Sequence, residues 1–275
     1  MINGYTRESG LRGLEKTIAS ITRKLARSVA ESDEKGKVRK PVKVTPKLTR
    51  ELLGEESFLP SDHCNTVPRV GVSTGLAYTS AGGDILEMEV NLSRGKGGLI
   101  LTGQLGDVMK ESAQTALSYI KSRADYLGIS PSTFSEYDVH LHAPAGAIPK
   151  DGPSAGVAIC LALVSALTGR PMRQDIAITG EISLHGRVLP VGGLREKILA
   201  AIRSDIAIVL VPEKNRGAIQ ELPANVRKGA DIRFMKNVEE ILALCLLPVG
   251  SAGATTEGMR GSAWGSDEGV AAQSA

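Results

Sequence analysis

A chain of 275 residues has room for one or two domains of roughly 100–200 residues each. Apolar residues make up 42% and charged residues 23%, a globular balance that excludes disorder along the whole length. Aromatic residues are only 3%, too few for base-stacking platforms, and the net charge of +3 divides into +8 over residues 1–50 and −5 over the remainder. Cys64, Cys160 and Cys245 are odd in number, far apart and in no C-x-x-C pair. That argues against a disulfide framework or a zinc knuckle and suits a reducing compartment. No span reaches the ~18 uncharged apolar residues of a membrane helix; the longest run, Val157 to Leu167, has the length of a buried helix. The first residues lack the charged-then-apolar order of a secretory signal.

In chain order, Leu11, Leu14, Ile18, Ile21, Leu25 and Val29 recur at helical spacing and predict an amphipathic helix over residues 11–29. A lone helix of this length is marginal in water, so its stripe requires a partner, and it reads as the last element of a larger domain. Residues 31–68 carry charges and four prolines and read as a linker, with a short helix near Leu48–Leu53. Strands are expected at Val70–Tyr78 and Asp84–Val90 around the hairpin signal Ala81-Gly82-Gly83, then at Leu99–Thr102 after Gly95-Lys96-Gly97-Gly98. One long helix is expected from Leu105 to Leu127, stopped by Gly128. Asp138–His142 alternates as a strand, and Ala155–Leu167 is an apolar helix closed by Gly169-Arg170-Pro171. Strands at Ile176–Ile178, Ile182–Leu184 and Arg187–Leu189 lead into a helix at Leu194–Arg203. Strand Ile206–Val211, helix Arg216–Leu222, strand Asp231–Met235 and helix Val238–Leu247 come next, and from Gly250 the tail has no apolar pattern. This order gives an α/β or α+β body large enough to bury its own core.

The segment Pro149-Lys150-Asp151-Gly152-Pro153-Ser154-Ala155-Gly156 is the most unusual in the chain. It places a serine with small neighbours at the mouth of a buried helix. Two readings stand side by side: Ser154 caps the helix, or it is a nucleophile whose oxyanion is met by backbone N–H groups of the loop. Pro153 has no N–H, so the donors would come from Ser154 itself and from Asp151 or Gly152. On the helix after Gly192-Gly193, Lys197 stands apart from Arg195, Glu196 and Arg203 and has Ala200 and Ala201 at i+3 and i+4. It either snorkels past these alanines or lies in a dry pocket, where a neutral amine could act as general base. Serine with a desolvated lysine is a route to nucleophilic hydrolysis without histidine. Thr179, ahead of Gly180 and Glu181, could hold the lysine through its hydroxyl or merely bond backbone. Asp138, His140 and His142 share one strand face; two histidines on one strand do not make a metal site, and orientation of the serine loop by hydrogen bonding is the favoured role. No G-x-x-x-x-G-K-[ST] occurs, so the chain has no P-loop.

Together these residues resemble the Lon protease family in its ATP-dependent form. Pro149–Ile159 is similar to the serine signature of Lon peptidases, and Gly192–Ala201, reading Gly-Gly-Leu-Arg-Glu-Lys-Ile-Leu-Ala-Ala, to the lysine signature. Thr179-Gly180-Glu181 and His140-Leu141-His142-Ala143-Pro144 look like family segments in the family's order, and the similarity spans residues 68–248. The resemblance implies an α+β fold like ribosomal protein S5 domain 2 and a serine endopeptidase without a metal. Ser154 would be the nucleophile, Lys197 the general base and Thr179 the residue that positions the lysine. Asp151 and the loop backbone at Gly152 and Pro153 would shape the oxyanion site and the lysine's surroundings, with Glu181, His140 and His142 in support. Tyr5–Glu15 is similar to the final helix of an AAA+ small (lid) domain, and Arg12 falls where such modules place a nucleotide-sensing arginine.

The expected organisation is a lid helix over 1–31, a linker over 32–67, the proteolytic domain over 68–248 and a disordered tail over 249–275. The implied whole is a homo-hexameric, ATP-dependent machine acting on unfolded or damaged proteins in bacterial cytoplasm or, alternatively, the mitochondrial matrix. Peptide hydrolysis would need no cofactor, and ATP and magnesium would act through an ATPase domain that this sequence does not hold. No membrane contact is expected. Two other readings remain. A GHMP-kinase-like module on the same superfold would cradle phosphate in the serine loop, against which stands the missing donor at Pro153. A non-catalytic DNA-tethering module would use the basic residues 1–50 for weak phosphate contact.

Overall fold

Alternation along the strands decides which layer each residue enters. The computed structural model describes residues 1–6, 11–33, 41–56, 67–79, 82–144 and 149–251. Cys64, most of the expected linker, the Ala81 turn position and the tail beyond residue 251 lie outside them. Two N-terminal helices, α1 (Arg12–Asp33) and α2 (Pro46–Leu53), are joined by Lys24, which donates to the Leu52 carbonyl. Ile21 is buried, whereas Leu11 and Ile18 of the same stripe stay exposed.

The body opens with β1 (Val72–Thr79) and β2 (Gly82–Arg94), an antiparallel pair, then β3 (Leu99–Thr102). Helices α3 (Asp107–Ser122), α4 (Ala124–Leu127) and α5 (Thr133–Glu136) precede β4 (Tyr137–His142). A 3₁₀ turn at Pro153–Ala155 starts α6 (Gly156–Thr168), followed by β5 (Ile176–Ile178) and a small hairpin of β6 (Glu181–Ile182) and β7 (Val188–Leu189). Then come α7 (Leu194–Arg203), β8 (Ile208–Pro212), α8 (Arg216–Gln220), α9 (Ala224–Arg227), β9 (Asp231–Met235) and α10 (Val238–Cys245). Seven strands form one mixed sheet in the order β3-β4-β2-β1-β5-β8-β9. Only β1–β2 and β2–β4 are antiparallel, so the sheet is mostly parallel.

One core lies on the face that receives Met88, Val139, Ile176, Ile178, Ile208 and Leu210, where α3, α6 and α10 pack. Ala177, Val209 and Val211 point to the opposite face and meet Leu194, Ile198 and Ala201 of α7 in a second core. Every residue from Val157 to Val164 is 0% exposed, which is why α6 is apolar on all sides. Cys160 and Cys245 are buried and unbridged.

Several boundaries differ from the sequence expectation. β2 runs to Arg94 because its polar alternates Glu89, Asn91 and Ser93 pair with β4. The expected single helix ending at Leu127 is two, since Arg123 (φ −118°, ψ 15°) leaves helical geometry between α3 and α4; Gly128, left-handed at φ +69°, is the stop. Helices α5 and α9 are short additions that periodicity does not announce.

The layers touch most closely where β2 begins. A Cβ on Gly83 would lie 1.9 Å from the Glu196 carbonyl oxygen of α7, and Arg203 Nη2 donates to the Gly83 carbonyl at 2.7 Å. Gly83→Ala is therefore expected to destabilise by about 1–3 kcal/mol and lower Tm by several degrees, measured by thermal melting.

Candidate active site

Lys197 is the fourth residue of α7 and lies on that helix's apolar face beside Leu194, Ile198 and Ala201. The small side chains of Ala200 and Ala201 leave room, and the whole lysine is 2% exposed, so the dry-pocket reading holds and the snorkelling one does not. Its Nζ donates to Thr179 Oγ1 at 3.1 Å, and among the described residues it has no acidic partner. Burial without a counter-charge pushes the amine down from 10.5 to about 8. The positive end of α7, within whose first turn it sits, acts in the same direction.

Thr179 follows β5 directly and is 1% exposed. Its hydroxyl accepts from Lys197 and donates to the Ser154 carbonyl at 3.4 Å, so one side chain joins the lysine to the serine turn. Gly180 N–H donates to the same carbonyl at 2.9 Å, and Val157 N–H donates to the Gly180 carbonyl at 3.1 Å. Ser154 thus has its backbone stitched to the end of β5. Its hydroxyl caps nothing: α6 begins at Gly156 with Ala155 at its N-cap position and no side-chain cap, and among the described residues the Ser154 Oγ makes no hydrogen bond. The capping reading of this serine is set aside. Ser154 and Lys197 line one cavity of about 750 Å³, with Lys150, Asp151, Pro153 and Ala155 from the serine loop and Leu76–Thr79 from β1.

The loop itself is rigidly held. Asp151 Oδ1 accepts from Met109 N–H at 3.0 Å, at the start of α3, and from Gly152 N–H at 2.9 Å. The carboxylate serves as the cap that α3, with Gly106 at its N-cap position, lacks in its own sequence. Asp151 Oδ1 thus faces α3, with no bond to Lys197 among the described residues, and the Gly152 N–H, one of the oxyanion donors expected from the sequence, is already engaged.

Residues 43–248 match the Lon protease (S16) C-terminal proteolytic domain, and residues 1–38 match the Lon protease AAA+ ATPase lid domain. The chain belongs to the Lon protease family. It is 52% identical to Lon protease of Aquifex aeolicus (strain VF5) over 248 residues, which is 90% of this chain and 30% of that protein. It is 50% identical to Lon protease of Desulfatibacillum aliphaticivorans over 248 residues, covering 90% of this chain and 29% of the relative. With Lon protease 1 of Bacillus subtilis (strain 168) it shares 47% over 247 residues, 90% of this chain and 31% of the other. The chain therefore spans about 30% of the length of these curated relatives. The mixed, mostly parallel sheet agrees with a Lon proteolytic domain, and the proteolytic-domain match takes in α2 as well as the sheet.

Not every residue of the Lon-like segments reaches the cavity. Glu181 opens β6, pairs with Leu189 and makes no bond to Lys197. His140 and His142 do share a strand face, but both rings hydrogen-bond the Thr102 hydroxyl, at 2.9 and 2.7 Å, and among the described residues neither bonds the serine loop. Asp138 accepts from the Lys96 and Gly98 N–H groups and closes the turn before β3. Among the described residues no cluster of His, Cys, Asp and Glu is suited to a metal. Arg12 stands exposed at the first position of α1. Sequence reasoning missed Lys150, whose Nζ donates to the Gly103 and Ala143 carbonyls at 3.2 and 3.4 Å. It also missed the β1 segment Leu76–Thr79, which lines the cavity and carries no residue type that marks it in the sequence.

The buried amine has a stability signature. A lysine whose native pKa lies below its ordinary value weakens the fold wherever the amine must carry its charge. The penalty is complete below about pH 8, shrinks between there and 10.5, and vanishes above. Lys197→Met is expected to raise stability at about pH 7 by on the order of 3 kcal/mol, and to lose that advantage above about pH 10.5. Urea melts of both proteins at the two pH values measure it.

Proposed function

We propose that this chain is the peptidase part of an ATP-dependent Lon protease, hydrolysing peptide bonds with Ser154 as nucleophile and Lys197 as general base. The observation that carries the reading is a buried amine, shifted to about 8 and without an acidic partner among the described residues, in the same cavity as a serine whose hydroxyl caps no helix. At neutral pH about a tenth of such lysines are uncharged, enough to accept the Ser154 proton as Oγ attacks the scissile carbonyl. The resulting ammonium then protonates the leaving amine, and a water, deprotonated in turn by Lys197, releases the acyl group from Ser154. Thr179 keeps the amine within reach through both steps. With Gly152 N–H engaged by Asp151, the Ser154 N–H is the loop's candidate donor to the oxyanion.

Substrate geometry follows from the sheet. β1 pairs with β5 only at Gly75, opposite Ile178, so Leu76–Thr79 continue beyond the end of β5 and face the cavity. An extended peptide would add to this edge by backbone hydrogen bonds and bring a carbonyl to Ser154. A folded protein cannot offer such a strand, which supports unfolded or damaged proteins as substrates. The apolar lining by Leu76, Ile85, Leu86, Met109 and Val191 favours apolar side chains at the cleaved position.

We further propose that the chain works in a homo-hexamer in the bacterial cytoplasm. Peptide hydrolysis would need no cofactor, and ATP with magnesium would act through an ATPase domain outside this sequence, read in part by Arg12. The relatives above are bacterial, and no helix among the described residues is long and apolar enough to cross a membrane. Lys24 and Arg27 are engaged by the Leu52 carbonyl and Glu31, so weak DNA contact by α1 is a secondary proposal.

Hydrolysis of a small fluorogenic peptide without ATP tests the mechanism. Ser154→Ala and Lys197→Arg are both expected to reduce kcat by at least about a thousandfold, the latter because a guanidinium cannot accept the proton. The rate is expected to rise with pH through about 8, the value burial imposes on Lys197. Full activity in Ser154→Ala, or a limb near 10.5, would sink the proposal.

A further inference from the structure

Strand β3 is four residues long, lies at the edge of the sheet and pairs only with β4, so its backbone alone gives it weak purchase. Its last residue is fastened by side chains. Thr102 Oγ1 lies 2.9 Å from His140 Nε2 and 2.7 Å from His142 Nδ1. One hydroxyl can donate to one ring nitrogen and accept from the other, so a single threonine satisfies both imidazoles and locks the end of β3 to the end of β4.

Beyond Thr102 the chain is docked on the segment that leads to Ser154. Because β3 and β4 are parallel, they leave the sheet at the same end, and the turn after β3 meets the chain after β4. Gly103, at φ +102°, nests so closely that a Cβ would lie 2.1 Å from the Ala143 carbonyl oxygen. Gln104 takes the left-handed conformation at φ 54°, unfavourable for a side-chain-bearing residue, and its carbonyl accepts from Lys150 N–H at 3.0 Å. Gly106 N–H donates to the Lys150 carbonyl at 2.7 Å. Lys150 Nζ returns to the Gly103 carbonyl, and Asp151 caps α3 at Met109. Gly152 and Pro153 then deliver Ser154.

We infer that Thr102, gripped by His140 and His142, is a positioning residue for Ser154: it fixes the Gly103–Gly106 turn on which the serine loop is docked through Lys150 and Asp151. This gives the two histidines a role in the reaction although neither lines the cavity. Loss of the hydroxyl frees the end of β3, relaxes the turn and lets the nucleophile wander by fractions of an ångström. The inference rests on Ser154 being the nucleophile, and its test separates the two claims.

Thr102→Val keeps the shape and β propensity and removes only the hydroxyl; Thr102→Ser restores it. In the full chain, Thr102→Val is expected to lower kcat for a small peptide about 10- to 100-fold with KM within about twofold, since misplacement of a reacting group is felt in the chemical step. Thr102→Ser is expected to recover most of the loss. The acidic limb near 8 should not move, because Lys197 is untouched. Ile100→Thr, on the same strand face and 45% exposed, serves as a control expected to keep kcat. Hydrogen exchange supplies a readout independent of turnover: the Met109 and Gly152 amides should exchange at least about tenfold faster in Thr102→Val, while amides of α6 are unchanged. Unchanged kcat with unchanged exchange at Met109 and Gly152 overturns the inference. So does a loss that Thr102→Ser does not repair, or faster exchange throughout α6, which would mean general unfolding. Activity retained in Ser154→Ala would overturn the nucleophile assignment, and the exchange result would still decide whether Thr102 holds the loop.

Discussion

The rest of the site depends on how a primary amine can be kept in the interior with one neutral hydrogen-bond partner. An ion pair would hold Lys197 more firmly, but it would also hold the proton, and the amine would be useless as a base. The fold supplies packing instead. Leu194, Ile198 and Ala201 seat α7 on the face of the sheet that carries Leu76, Ala177, Val209 and Val211, and Lys197 is buried as a passenger of that contact. The Thr179 hydroxyl then aims the side chain without charging it. Because the same hydroxyl reaches the Ser154 carbonyl, and Gly180 N–H reaches it too, the proposed nucleophile and base share one anchor at the end of β5. Glycine is required there: a Cβ on Gly180 would come within 3.0 Å of both Val188 and Val157.

Local pattern is a sound guide to this sequence wherever the deciding contacts are local. Strands β3, β5 and β9 and helix α7 lie where residue pattern puts them, because each commits its apolar residues to a core, β5 and β9 to both. Pattern fails where a partner strand decides. It ends β2 at Val90, since Asn91 and Ser93 look like turn residues, yet both are polar alternates paired with His140 and Asp138. The apolar row from Leu105 to Leu127 runs across the break at Arg123 because α3 and α4 bury their residues in the same core, so periodicity alone does not register the interruption. The candidate site divides in the same way. Ser154 and Lys197 stand out by residue type and neighbours, but whether the serine caps and whether the lysine is dry are undecidable without the layers. Sequence places His140 and His142 on one face correctly and assigns them to the serine loop, where the described residues show them meeting Thr102. Their partner Thr102 lies 38 and 40 residues away, and only the order β3-β4-β2 brings it beside them.

That the cavity opens beside β1 is a consequence of the shortness of β5. Had β5 continued past Ile178 along β1, its backbone would have filled the hydrogen-bonding edge of Leu76–Thr79, and no peptide could add there. Thr179 and Gly180 instead turn toward the start of α6, so the two residues that end the pairing are the same two that bind Ser154 and aim Lys197. An open edge is ordinarily an aggregation hazard; here it opens into the cavity that the serine loop and Pro190–Gly193 also line. The end of β5, the burial of Lys197 and the exposure of Leu76–Thr79 are therefore one structural event. A change that lengthened β5 by even two residues would fill that edge and remove the anchor that Ser154 and Lys197 share.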